Sequence, residues 1–125
     1  MSKDPALAAA ARPFAGPADL RAILHFLTAC RAEAPAADYE HVGDLLWGLR
    51  EPQDLARNAR LWHGSNGHLT AFALAWPRSG DFLWQVQPSD IGGEVDREAF
   101  RWARDRAAEV AREQGGTKGH GCDAK

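Results

Sequence analysis

The stretch Ala59–Pro88 constrains this chain most. It reads as three apolar, aromatic-rich runs separated by two groups of turn residues. Asn66-Gly67 divides the first two runs, and it suits a tight hairpin because both central positions of a type I′ turn need positive φ. Pro77, Ser79 and Gly80 divide the second from the third, and Pro77 has no N–H to give to a sheet ladder. The pattern predicts three antiparallel strands near 59–64, 68–76 and 82–87, in chain order. In the middle run Thr70, Phe72, Leu74 and Trp76 share one face, while Leu69, Ala71, Ala73 and Ala75 share the other. Neither face is polar, so both are expected to be covered. The alanine face would let a helix come close.

Helical spacing brackets this meander. Pro17 opens a first helix, in which Leu20, Ile23, Leu24, Leu27 and Cys30 repeat on one face. Pro35 stops it, since a residue before proline is pushed out of the α region. Asp38 is the expected N-cap of a second helix with the stripe Tyr39, Val42, Leu45, Leu46 and Leu49, ending at Pro52. Gly43 and Gly48 weaken that helix and point to close packing against another element. Gln53–Asn58 is a polar connection or a single turn, and Ser89–Gly93 is a loop. A third helix is expected over about Glu94–Gln114, with Val95, Ala99, Trp102, Ala103, Val110 and Ala111 as its apolar face and Gly115-Gly116 as its stop. The fold class is therefore α+β: two N-terminal helices, a three-stranded antiparallel meander and one long C-terminal helix. Residues 1–13 read as a flexible arm, although Pro13–Gly16 carries a weak strand signal, 14–115 as the domain and 116–125 as a disordered tail.

With 45% hydrophobic residues, 26% charged residues and a net charge of -2, the chain has no electrostatic reason to seek nucleic acid or an acidic membrane surface. No apolar run reaches the length of a membrane span, and the N-terminus lacks a signal peptide's apolar region, so a cytoplasmic location is expected. Cys30 is expected to be buried and Cys122 solvated, without a disulfide between them.

Several residues invite a chemical reading that simpler physics outweighs. His63 and His68 flank the Asn66-Gly67 turn, but a metal set normally needs a third ligand, so they read as polar groups at a hairpin tip. His41 and Asp44 read as a surface pair rather than an acid–base pair, and His120, Cys122 and Asp123 as a tail that would bind metal nonspecifically. The five tryptophans sit at apolar positions and read as core.

The order of elements, together with Pro17-Ala-Asp-Leu20, His41-Val-Gly-Asp-Leu-Leu-Trp47, Arg60-Leu-Trp62, Gly67-His-Leu-Thr-Ala-Phe-Ala73, Gln87-Pro88 and Phe100-Arg-Trp102-Ala103, resembles the first half of the GNAT acetyltransferase superfamily. It is similar to the N-terminal domain of bacterial proteins that carry GNAT units in tandem, as mycothiol synthase-like enzymes do. The resemblance covers roughly residues 14 to 115. It implies a fold in which acetyl-CoA lies along the last strand and over the loop that starts the next helix, where backbone N–H groups cradle a pyrophosphate. By that implication Val86, Gln87, Gly92 and Gly93 are the cofactor-binding residues. No catalytic residue is implied, because the part of the unit that often supplies a catalytic tyrosine would follow Gly115, and Tyr39 is the only tyrosine.

The loop departs from the family's pattern of Arg or Gln, two residues, Gly, one residue, Gly or Ala. Position 89 is Ser, and Asp90 puts negative charge where the phosphates would lie. The resemblance thus implies an N-acetyltransferase-type domain, incomplete or degenerate, that binds acetyl-CoA weakly or not at all; the alternative is a non-catalytic module that keeps the fold for packing or partner binding. If the chain is half a unit, its last strand has an open outer side, which implies a homodimer or a second GNAT half there.

Overall fold

The computed structural model describes residues 10–49, 54–76 and 79–118. Strand β1 (Ala10–Pro13) leads into helix α1 (Pro17–Glu33), then the short helix α2 (Val42–Gly48) and the single turn α3 (Leu55–Asn58). Strands β2 (Ala59–His63), β3 (Leu69–Ala75) and β4 (Phe82–Val86) follow, then a 3-10 turn at Pro88–Asp90 and the long helix α4 (Glu94–Lys118). The strands form one antiparallel sheet in the order β1-β2-β3-β4.

The sheet separates two cores, and the two faces of β3 decide what each contains. On one side Phe72 and Leu74 meet Leu61, the α1 residues Ile23, Phe26 and Leu27, and Tyr39 and Leu45. Phe26 stands edge-on to Phe72 with ring centroids 6.0 Å apart. On the other side Ala71 and Ala73 meet Trp62, Val86, Ala99 and Ala103, so small side chains on both elements let α4 lie close to the sheet. Carboxylates on α4 hold two of the tryptophan indoles: Trp62 Nε1 donates to Glu98 at 3.0 Å and Trp84 Nε1 to Asp96 at 2.7 Å.

Six features differ from the sequence reading, the first being that Trp47, read as core, and Leu46, expected in the apolar stripe of the second helix, are exposed. The sheet has four strands, because Ala10–Pro13, expected within the arm 1–13, pairs with β2 in the register Ala10↔His63 to Pro13↔Arg60. This strand has little propensity of its own. Arg12 secures it by donating to both oxygens of Asp19 on α1, at 2.8 and 2.6 Å. The second helix begins at Val42, not beside Asp38: His41 is its N-cap, accepting at Nδ1 from Gly43 N at 3.1 Å. Tyr39 and Glu40 are therefore extended chain rather than helix. The hairpin closes through a wider turn, with Gly64 N bonded to His68 O, Gly67 N to Gly64 O and Gly67 at φ +86°. Helix α4 runs through Gly115-Gly116 to Lys118, since glycine adds only about 1 kcal/mol per residue and does not by itself end a helix. On that helix Ala107 is buried where Ala111, expected on the apolar face, is exposed.

Gly48 does pack closely, as its weak helix propensity suggested: a Cβ there would stand 3.4 Å from the Trp76 ring, whose Nε1 donates to the Gly48 carbonyl at 2.9 Å. Cys30 is buried. Pro77, His120, Cys122 and Asp123 lie outside the described residues. No described helix is long and apolar enough to cross a membrane.

Candidate functional site

The residues expected to bind a cofactor lie along β4 and its exit loop. Antiparallel pairing alternates the backbone groups of a strand between its two neighbours. Gln87 N donates to Thr70 O and Trp76 N to Asp81 O, so the odd-numbered residues of β4 turn their backbone toward β3. Phe82, Trp84 and Val86 turn theirs outward. Among the described residues β4 is an edge, and its outer side borders a groove of about 390 Å³.

The extended segment Ala37–Glu40 forms the facing wall of this groove. It exists because Pro35 ends α1 and the next helix waits until Val42. Two hydrogen bonds fasten it to β4. The Tyr39 hydroxyl donates to the Val86 carbonyl, and Glu40 N donates to Gln85 Oε1 at 2.7 Å. Gln85 spends its amide on the Trp84 carbonyl at 3.0 Å. Burial, with Cys30 beside it, holds the Tyr39 phenol above its ordinary pKa, so it stays a donor throughout the physiological range. Burial raises the pKa of Glu40 as well, and the nearby carboxylates Asp44 and Asp38 push the same way.

At the C-terminal end of β4 the chain turns through Pro88–Asp90 into α4. Gly92 adopts φ +82°, which a side chain would strain. Its N–H donates to Asp96 Oδ2 at 2.7 Å, while Asp96 Oδ1 takes the Trp84 indole. Gly93 N donates to the Asp90 carbonyl at 2.9 Å, and a Cβ at Gly93 would stand 3.2 Å from that same oxygen. Gln87 Nε2 donates to Asp90 Oδ2 at 2.9 Å. Arg97 reaches the loop too, but its guanidinium is turned to the Gly92 carbonyl at 3.0 Å.

The four expected cofactor residues are thus neighbours without forming one cradle. Val86 lines the groove, Gln87 lines a second cavity against α1, and Gly92 and Gly93 line neither. A diphosphate needs several backbone N–H groups converging on open space. Here a carboxylate of the protein already takes the Gly92 amide, a backbone carbonyl takes the Gly93 amide, and Asp90 and Asp96 both add negative charge. The residues present do not fit the phosphates of acetyl-CoA.

Tyr39, Gln85 and Asp96 shape this site, and sequence reasoning missed all three. Tyr39 matched a helical stripe, and Asp96 is an ordinary first-turn acid by position. Only the four-residue step from Gly92 to Asp96 hinted at a side chain folding back on the loop. Of the histidines weighed as ligands, His63 Nδ1 lies 3.1 Å from the Gly67 carbonyl. Among the described residues no three His, Cys, Asp or Glu side chains are placed to hold a metal ion.

The chain matches no family model and no curated protein. It is similar to the crystal structure of a GCN5-related N-acetyltransferase from Sphaerobacter thermophilus, with a TM-score of 0.63 and 24% identity over 83% of this chain. That match takes up 33% of the other protein, so this chain spans about a third of its length. The likeness, with the antiparallel sheet between α1 and α4, establishes that the chain has a GNAT-like α+β fold.

Proposed function

We propose that this chain is a domain of a GNAT-type N-acetyltransferase, of the kind that carries paired units, and that it supplies scaffold rather than a working cofactor loop. The observation that carries this reading is the carboxylate of Asp96 seated on the Gly92 amide, where the fold's usual cofactor would place phosphate oxygens. The similarity to one third of a GCN5-related N-acetyltransferase supports the family level of the proposal. Acyl transfer belongs, on this reading, to a whole protein in which another GNAT half meets the outer side of β4, and acetyl-CoA is bound elsewhere in that protein.

Calorimetry with acetyl-CoA tests the reading. Charge-assisted bonds to a phosphate are worth roughly 1.5–3 kcal/mol each, so losing two separates a micromolar from a millimolar binder. The chain is expected to bind no tighter than about millimolar, by that arithmetic. Asp96→Asn, which removes one negative charge from the loop, is expected to tighten binding by about tenfold. Low-micromolar binding by the unmodified chain that disappears when Gly92 and Gly93 both become bulky residues would falsify the proposal.

A further inference from the structure

The groove beside β4 combines an open strand edge with one sign of charge. Asp38, Glu40 and Asp96 line it, and among the described residues no lysine or arginine does. Arg31 comes near, but it donates to the Tyr39 carbonyl and does not line the groove. The edge itself is only partly closed. The Val86 carbonyl is taken by Tyr39 and the Trp84 carbonyl by Gln85. The amides of Phe82, Trp84 and Val86 and the carbonyl of Phe82 face outward with no partner among the described residues. These groups recur at every second residue, about 7 Å apart, which is the spacing an added strand presents.

The two sides of this edge differ. Phe82, Trp84 and Val86 point to the α4 side of the sheet, where Phe82 and Trp84 stack with ring centroids 6.0 Å apart and Phe100 stands against Trp84 at 4.7 Å. Glu40 is tied to Gln85, next to Leu83, which points to the α1 side. A strand laid along the edge would therefore meet the aromatic surface, with Asp96 beside it, with one set of alternate side chains and the Asp38–Glu40 wall with the other.

We propose that the outer edge of β4 binds an extended segment of a partner protein whose side chains alternate between basic and apolar, added as a fifth strand. A second copy of this chain is a poor occupant. Two-fold pairing of β4 with itself would bring the carboxylates of one groove toward those of the other, and like charges at close range are destabilising. This names the chemistry of the partner side in the reading above and rests on that reading only in taking β4 as the meeting edge. The two fail separately: tight acetyl-CoA binding overturns the first, and absent strand addition overturns this one.

The test uses the intact chain and three blocked octapeptides: alternating Lys and Val, alternating Glu and Val, and the Lys–Val peptide N-methylated at alternate residues. Amide hydrogen exchange by NMR is read at saturating peptide. The Lys–Val peptide is expected to slow exchange at Phe82, Trp84 and Val86 by at least about tenfold, because those amides become ladder donors. The Glu–Val peptide should bind at least about tenfold more weakly through charge mismatch. The N-methylated peptide, unable to form the ladder, should not bind. In the double variant Asp38→Asn, Glu40→Gln, binding of the Lys–Val peptide should fall about tenfold while the fold is kept. Equal binding of the Lys and Glu peptides, undiminished binding of the N-methylated peptide, or binding with no protection at these three amides overturns the proposal. So does self-association of the chain that protects the same amides without peptide.

Discussion

Asp19 shows how one carboxylate fixes the start of the fold. It is buried at the first turn of α1, accepts both guanidinium nitrogens of Arg12, and also accepts the Ala15 amide at 2.7 Å. The Arg12 hydrogen bonds, helped by the Ala15 amide and opposed by burial, hold its pKa down at about 2. The folded pKa is depressed, so the stabilisation is present above the ordinary carboxylate range and is lost as pH falls from about 4 to about 2. Its size is about 2 kcal/mol, since a tenfold change in proton affinity between the unfolded and folded chain corresponds to about 1.4 kcal/mol. Asp19→Ala is therefore expected to cost about 2 kcal/mol near neutral pH and to flatten the acid limb of the stability curve. Urea midpoints measured from about pH 6 down to about pH 2.5 check this, and an acid limb unchanged in the variant would count against it.

At the scale of elements, the close approach of α4 to β3 is the feature with the sharpest consequence. Ala71 and Ala73 on the strand and Ala99 and Ala103 on the helix are all fully buried against one another's elements. Ala103→Leu has no space to occupy and is expected to destabilise by about 1–3 kcal/mol, whereas Ala111→Leu, on the exposed side of the same helix, should change stability by less than about 0.5 kcal/mol. Thermal melts of the two variants side by side decide it; equal effects would mean that α4 does not rest on the alanine face. This contact was legible in the sequence because strand alternation sorts Ala71 and Ala73 onto one side without any knowledge of the helix. β1 was not legible: Ala-Ala-Arg-Pro has neither alternation nor strand propensity, and it is held by a carboxylate distant from the strand itself. The candidate site divides the same way. Asp90's conflict with a phosphate could be read from its position, but the closure of the Gly92 amide by Asp96 depends on how the loop folds back. Tyr39 was hidden because its spacing fits a helix that begins only after it.

For the whole molecule, the arrangement predicts an order of opening. β3 is the only described strand with a neighbour on each side that is itself a main strand of the meander, and it carries both cores, one on each face. Its amides can exchange only when both cores come apart, which is global unfolding. The segment Ala37–Glu40 lies across the end of β4 and is tied to that strand by the Tyr39 hydroxyl and the Glu40 amide. It can lift away by breaking these ties and the Arg31 bond to the Tyr39 carbonyl and withdrawing Tyr39, while the sheet stays paired. Hydrogen exchange should therefore place the Glu40 amide in an early-opening group and Phe72 and Ala73 in the slowest group. Tyr39→Phe sharpens the test. It removes one donor from a carbonyl at the groove, a change of about 1 kcal/mol, and should speed exchange at Glu40 more than at Phe72. If the variant instead accelerates both amides equally, Ala37–Glu40 opens only with the whole domain. The wall of the groove would then be part of the core, and a partner strand would meet Asp38 and Glu40 already fixed in place.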